Sequence, residues 1–160
     1  MKENDSIPTY DPNEAPVMDT NKIYEWLPHR YPFQLVDKII KLDDEEVVGI
    51  KNVTANENYF QGHFPGEPVM PGVMLMETIA HVGGIYILNQ LDEPSRYTTY
   101  FVKVNSCKFR KMVVPGDTLV IKCYPFAPFK RGLAQMRGDA YVGKTKVCEI
   151  DIVASFVKNR

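Results

Sequence analysis

The sequence predicts an α+β domain in which an antiparallel sheet wraps one long, buried helix. Three observations point there. Residues 73 to 87 carry apolar side chains at helical spacing and nearly all round, the pattern of a helix without a solvent face. From Tyr97 onward the chain reads as four β-rich runs separated by turn residues. Two shorter β-rich runs precede the helix. Strands and a helix segregated in this way define α+β, not an alternating βαβ architecture.

The 160 residues suffice for one domain with a real core. Hydrophobic residues make up 44% and charged residues 24%, which excludes a disordered or fibrous chain. Residues 69 to 91 are interrupted by Glu77, His81, Pro71, Gly72, Gly83 and Gly84, so no membrane insertion is expected. No hydrophobic leader opens the chain, which predicts a cytoplasmic protein. Cys107, Cys123 and Cys148 form no CxxC, as expected of structural thiols in a reducing compartment.

The net charge of −1 hides an asymmetry. Residues 1 to 20 hold five acids against Lys2. Residues 103 to 137 hold eight bases against Asp117, a segment able to face an acidic partner or to form a solvated strand face. Without a recognition motif or an overall basic balance, nucleic acid is not expected as a partner.

Taken in order, residues 1 to 18 carry Pro8, Pro12 and Pro16 with few apolar side chains, which predicts a flexible, Pro-rich acidic arm or linker. The domain proper spans 19 to 160. Asp19 or Thr20 caps a short helix that ends before Pro28. Phe33 to Leu42 and Glu46 to Val53 read as strands around an acidic turn. Residues 56 to 66 are irregular. Pro71 suits the first position of the long helix, and Gly83 and Gly84 would let neighbouring backbone approach it. Tyr97 to Phe109, Thr118 to Phe126, Gly132 to Val142 and Val147 to Val157 are the remaining strands. The second of these places Leu119, Ile121 and Cys123 opposite Lys122 and Tyr124. A single sheet around a helix leaves free edges, so dimerisation by edge pairing is expected.

The chemistry concentrates in Gly62-His63-Phe64-Pro65-Gly66 and in Glu77, fourteen residues after His63. His63, held in a tight turn, is either a loop residue bonding its own backbone or a base near neutral pH. Glu77 stands among Val73, Met74, Leu75, Met76 and Ile79. It is either a paired structural carboxylate or a carboxylic acid with a raised pKa. Gly72, at the helix start, offers a backbone N–H to a carbonyl oxygen gaining charge. His81 lies one turn beyond Glu77 and can orient it. Ligation of a metal with Glu77 and His63 is the weaker alternative, since no HExxH pairing exists and the cysteines are remote.

Several separated motifs carry a resemblance. They are Leu27-Pro28-His29-Arg30-Tyr31-Pro32-Phe33 with Leu35-Val36-Asp37, Gly62-His63-Phe64-Pro65-Gly66, Pro71-Gly72-Val73 with Glu77, and Val114-Pro115-Gly116-Asp117. In this order, over residues 21 to 157, the chain resembles the (3R)-hydroxyacyl-[acyl-carrier-protein] dehydratases of type II fatty acid biosynthesis, the FabZ type. The resemblance implies a hotdog fold, homodimers assembled as a trimer of dimers, and dehydration of the 3-hydroxyacyl to the trans-2-enoyl thioester. It makes His63 the base and Glu77 the acid, contributed by different subunits, and Gly72 the donor to the thioester carbonyl. Neither cofactor nor metal is expected. A glutamate at 77 resembles the FabZ type more than the isomerising FabA type. His81 departs from the usual glutamine. The arm would suit a linker in a fusion with the lipid A deacetylase.

An acyl tunnel would draw on Met70, Val73, Met74, Tyr100 and Phe101. Acyl carrier protein would dock on Lys108, Arg110, Lys111, Lys130 and Arg131. Two rivals stand beside this reading: a hotdog thioesterase, in which a carboxylate directs water at the thioester, and a noncatalytic carrier-binding protein.

Overall fold

The computed structural model describes residues 6–159. The opening of the arm, residues 1–5, and Arg160 lie outside the described residues. Helix α1, Thr20–Trp26, starts where Asp19 accepts the N–H of Lys22. Strands β1, Lys38–Leu42, and β2, Val47–Asn52, form a hairpin. Its turn is fixed by the Asp43 carboxylate, which accepts the N–H groups of Glu45 and Glu46. A 3₁₀ turn, Asn58–Gln61, leads toward α2, Gly72–Leu88. A second 3₁₀ turn, Pro94–Arg96, opens β3, Tyr97–Phe109. Strands β4, Thr118–Pro125, β5, Leu133–Val142, and β6, Thr145–Lys158, complete the chain.

All six strands join one antiparallel sheet in the order β1-β2-β4-β5-β6-β3. The sheet curls around α2, which buries Leu75, Ile79, Val82, Ile85 and Leu88 against Ile39, Ile121, Met136 and Ile150. The expected architecture is therefore present. The expected cause of the close approach is not. A Cβ on Gly83 would meet its neighbours at ordinary contact distance. The intolerant glycines are on the sheet: a Cβ on Gly138 would lie 2.2 Å from Ile79, and one on Gly49 would lie 2.6 Å from Val82. These two residues lack side chains so that the β-branched residues of α2 can sit on the strands.

Three local differences from the sequence expectation have physical causes. The first strand starts at Lys38, not Phe33, because residues 30–33 close a turn, with the Phe33 N–H bonded to the Arg30 carbonyl. Pro71 caps α2 and Gly72 begins it. Lys122, expected on a solvated face, is 1% exposed. The outer face of β4 is covered by residues 6–18, which run along the sheet. Met18 bridges to Ile39, Tyr10 packs beside Val48, Ile50 and Val120, and the Lys122 ammonium donates to the Ser6 carbonyl at 2.6 Å.

The sheet has two edges. β3 is one of them, and residues 100–106 of it are exposed on both faces. Tyr100, Phe101, Val102 and Val104 are among its exposed apolar residues. A long apolar edge of this kind is a template for pairing with another chain.

Candidate active site

Two segments bring the expected chemistry to the surface of the sheet. The first is the loop that begins with the 3₁₀ turn. An ion pair between the buried Lys51 on β2 and the partly buried Glu57 anchors its start. Further on, the His63 N–H bonds the Tyr59 carbonyl, and the Val69 N–H bonds the His63 carbonyl. The imidazole Nδ1 lies 2.7 Å from the Val69 carbonyl oxygen, and the ring stacks on Phe64. A carbonyl oxygen only accepts, so Nδ1 carries the hydrogen. The neutral ring then presents its lone pair at Nε2, the form a general base requires.

The second segment is the first half of α2. Gly72 heads it, and the first amide groups of a helix have no acceptor within it. A Cβ there would lie 2.8 Å from the Phe109 ring, so the position excludes any side chain between the helix start and β3. One turn and a half further on, the Glu77 carboxylate meets His81 Nε2 at 3.1 Å. His81 is itself buried and lies under the ring of His29, with centroids 4.0 Å apart. Phe33 closes over both.

The electrostatics correct one expectation. Of the two readings of Glu77, a paired carboxylate or an acid with a raised pKa, the second is not met. Burial does push the pKa upward, but the hydrogen bond from His81 and the charges of His81 and His29 outweigh burial, and the carboxyl is held below its ordinary value. Burial, then His81, lowers His29 to about 4.

Glu77 and His81 open onto a cavity lined by Ala80, Tyr100, Phe101, Ala134 and Ile152 among others. Of the tunnel candidates, Tyr100 and Phe101 line it. Met74 instead packs against the core, Met70 is buried within it, and Val73 is exposed. The pocket is open to solvent on one side. One chain alone therefore does not enclose an acyl chain. His63 is not part of this lining, and among the described residues no hydrogen bond or ion pair joins it to Glu77.

The five basic candidates separate into two groups. Lys108 and Arg110 pair with Glu149 on β6. Lys111 follows them, exposed, with no ion pair among the described residues. Lys130 and Arg131 form the β4–β5 turn beside the opposite end of β3, since Leu133 pairs with Ser155 and Ser155 with Tyr100. Roughly 30 Å of extended strand separates the two groups in one chain. Sequence reasoning gave no role to His29. Its signal was present in the Leu27-Pro28-His29-Arg30 motif, but its contact with His81 spans fifty-two residues and no local pattern encodes it.

One helix wrapped by a six-stranded antiparallel sheet, with a carboxylate on that helix facing the edge strand, is the hotdog class of protein. Residues 27–151 match the FabA-like domain, and the chain belongs to that family. It is 58% identical over 153 residues to the bifunctional enzyme LpxC/FabZ of Bacteroides thetaiotaomicron, covering 96% of this chain and 33% of that protein. The 3-hydroxyacyl-[acyl-carrier-protein] dehydratase FabZ of Syntrophobacter fumaroxidans is 45% identical over 139 residues, 86% of this chain and 93% of that one. The chain thus spans about a third of the length of the bifunctional relatives. Among solved structures, the dehydratase heterocomplex ApeI:P of Xenorhabdus doucetiae matches with a TM-score of 0.72 at 14% identity, over 85% of this chain and 91% of that one. This likeness carries the fold alone. No helix among the described residues is long and apolar enough to cross a membrane.

Proposed function

We propose that this chain removes water from (3R)-hydroxyacyl thioesters carried by acyl carrier protein, giving trans-2-enoyl thioesters for fatty acid biosynthesis. One observation carries the reading. The carboxylate and an incomplete apolar cavity lie beside the edge strand β3, while the His63 imidazole, its Nδ1 bonded to the Val69 carbonyl, lies outside that cavity. A second copy pairing along β3 completes the cavity and supplies the missing imidazole.

In this mechanism His63 Nε2 takes a proton from C2 of the acyl chain. The electron pair moves into the thioester carbonyl, whose oxygen gains charge at the Gly72 N–H. The pair then returns to form the C2–C3 double bond as the C3–O bond breaks. Glu77 gives its proton to the departing hydroxyl, and water leaves. The acid must be protonated to do this. Covering the cavity with a partner chain and an acyl chain removes water from Glu77, which favours its neutral form. Catalytic units of residues 19 to 160, preceded by the arm, and assembly as a trimer of dimers belong to the same proposal. So does a carrier-docking surface built from Lys111 and its neighbours of one copy with Lys130 and Arg131 of the other, because antiparallel pairing of two β3 strands brings the two groups together.

A thioesterase is favoured by one feature, the lowered pKa of Glu77, since an ionised carboxylate suits the activation of water. Assay of a 3-hydroxyacyl thioester separates the two. Enoyl product, with a loss of roughly a hundredfold or more in His63→Ala, supports dehydration. Release of free thiol, or turnover unaffected by His63→Ala, overturns it.

A further inference from the structure

Glu77 has neighbours that dehydration does not require. Glu77, His81 and His29 each offer one ligand atom, and the three atoms lie within 4.8 Å of one another. Glu77 and His81 are four residues apart on α2, so both project from one face of a rigid helix. His29 comes from the segment after α1. That segment is fixed by Arg30, whose guanidinium donates to the carbonyl oxygens of Tyr24, Leu27 and His29.

The spacing is close to that of a transition-metal site. Two ligands of a tetrahedral zinc with bonds near 2.0 Å lie about 3.3 Å apart. His81 Nε2 and Glu77 Oε1 are already 3.1 Å apart. Bringing His29 in requires a shift of at most about 1.5 Å, within reach of a side-chain rotation. His29 Nδ1 is buried with no hydrogen-bond partner among the described residues, and His81 is 3% exposed. Buried polar atoms are rarely left unsatisfied, and each exception calls for a ligand, an ion or a water.

We propose that His29, Glu77 and His81 form a binding site for a divalent transition metal of the zinc class, and that filling it silences dehydration. Two imidazole nitrogens and one carboxylate oxygen suit zinc, cobalt, nickel or copper, and disfavour magnesium and calcium, which take oxygen ligands. The remaining coordination position opens toward the cavity lined by Ala80 and Tyr100. A carboxylate bound to the ion no longer carries the proton that the leaving hydroxyl needs. The inhibitory half of the proposal rests on the dehydratase reading; the binding half does not.

Cobalt(II) added to chelator-stripped protein tests the site. The expected result is one equivalent bound, with the visible bands of a nitrogen- and oxygen-ligated ion. The intense sulfur-to-cobalt band of thiolate ligation should be missing. His29→Gln, His81→Gln and the isosteric Glu77→Gln should each weaken binding tenfold or more, with circular dichroism showing that the fold is kept. One equivalent of zinc should stop turnover of a 3-hydroxyacyl thioester, and a chelator should restore it. No binding by folded protein at micromolar cobalt, a thiolate band, or unchanged affinity in all three variants overturns the site. Binding without loss of turnover overturns the silencing. Binding by a protein with no dehydratase activity upholds the site and removes the dehydratase reading.

Discussion

At the scale of single residues, Glu77 and His29 show how burial and charge compete. Both are partly buried, yet the hydrogen bond with His81 and the charges of His81 and His29 hold the Glu77 carboxyl below its ordinary value. His29, with no such donor relation, is pushed toward its neutral form. The consequence for stability has a definite sign. The unfolded imidazole binds its proton as pH falls through 6.5, while the folded one waits until about 4. Between those values the unfolded chain holds more protons, so stability falls as pH falls. In metal-free protein, His29→Gln should therefore lose less Tm than wild type between pH 7 and pH 4.5. After discounting for solvent screening the difference is about 2 kcal/mol, or roughly 5 °C. Equal slopes of Tm against pH would show that His29 is not the buried base described. This residue was the least legible part of the site. His63, Gly72, Glu77 and His81 stand close together in the chain, and their contacts follow from a turn and one helix. The packing of His29 on His81 joins two segments whose meeting depends on the closure of the whole domain.

At the scale of elements, the packing of the sheet on α2 depends on glycine at positions 49 and 138 of the strands. Gly138→Ala would force a methyl group into Ile79 and should destabilise by about 1–3 kcal/mol, the usual cost of overpacking. Gly83→Ala meets only ordinary contacts and should stabilise by roughly 1 kcal/mol through helix propensity. Chemical denaturation of both variants checks the pair, and the reverse order would contradict this packing. Strand alternation made β4, β5 and β6 readable, because their inward faces carry the core. It failed for Lys122, whose outer face is covered by residues 6–18, since a pattern of period two records no cover that arrives from a distant segment. The basic end of β3 also belongs at this scale. Lys108 and Arg110 are paired with Glu149, so reversing either charge would also set it against a like charge. Lys111→Glu is the cleaner test. It should raise KM for carrier-linked substrate roughly threefold or more, the effect shrinking with added salt, and leave a small thioester analogue unaffected. Equal effects on both substrates would place Lys111 in the fold or the cavity.

At the scale of the molecule, a single chain carries an unusually open face. Residues 100–106 of β3 expose both of their sides, and the cavity beside Glu77 is open to solvent. Edge pairing between two copies buries the strand and extends the cavity in one step, and it accounts for an imidazole and a carboxylate that do not meet within one chain. Fold class and edge were legible in the order and alternation of the strands. The separation of the two residues was not, because fourteen residues of loop and helix are compatible with contact or with distance. The most direct test of a shared site mixes His63→Ala with Glu77→Gln protomers. Each variant alone should be inactive. A heterodimer retains one complete site, from the His63 of one copy and the Glu77 of the other. Random exchange should therefore restore about a quarter of wild-type activity. No recovery, with subunit exchange demonstrated by mass-tagged protomers, would contradict the claim that base and acid come from different copies.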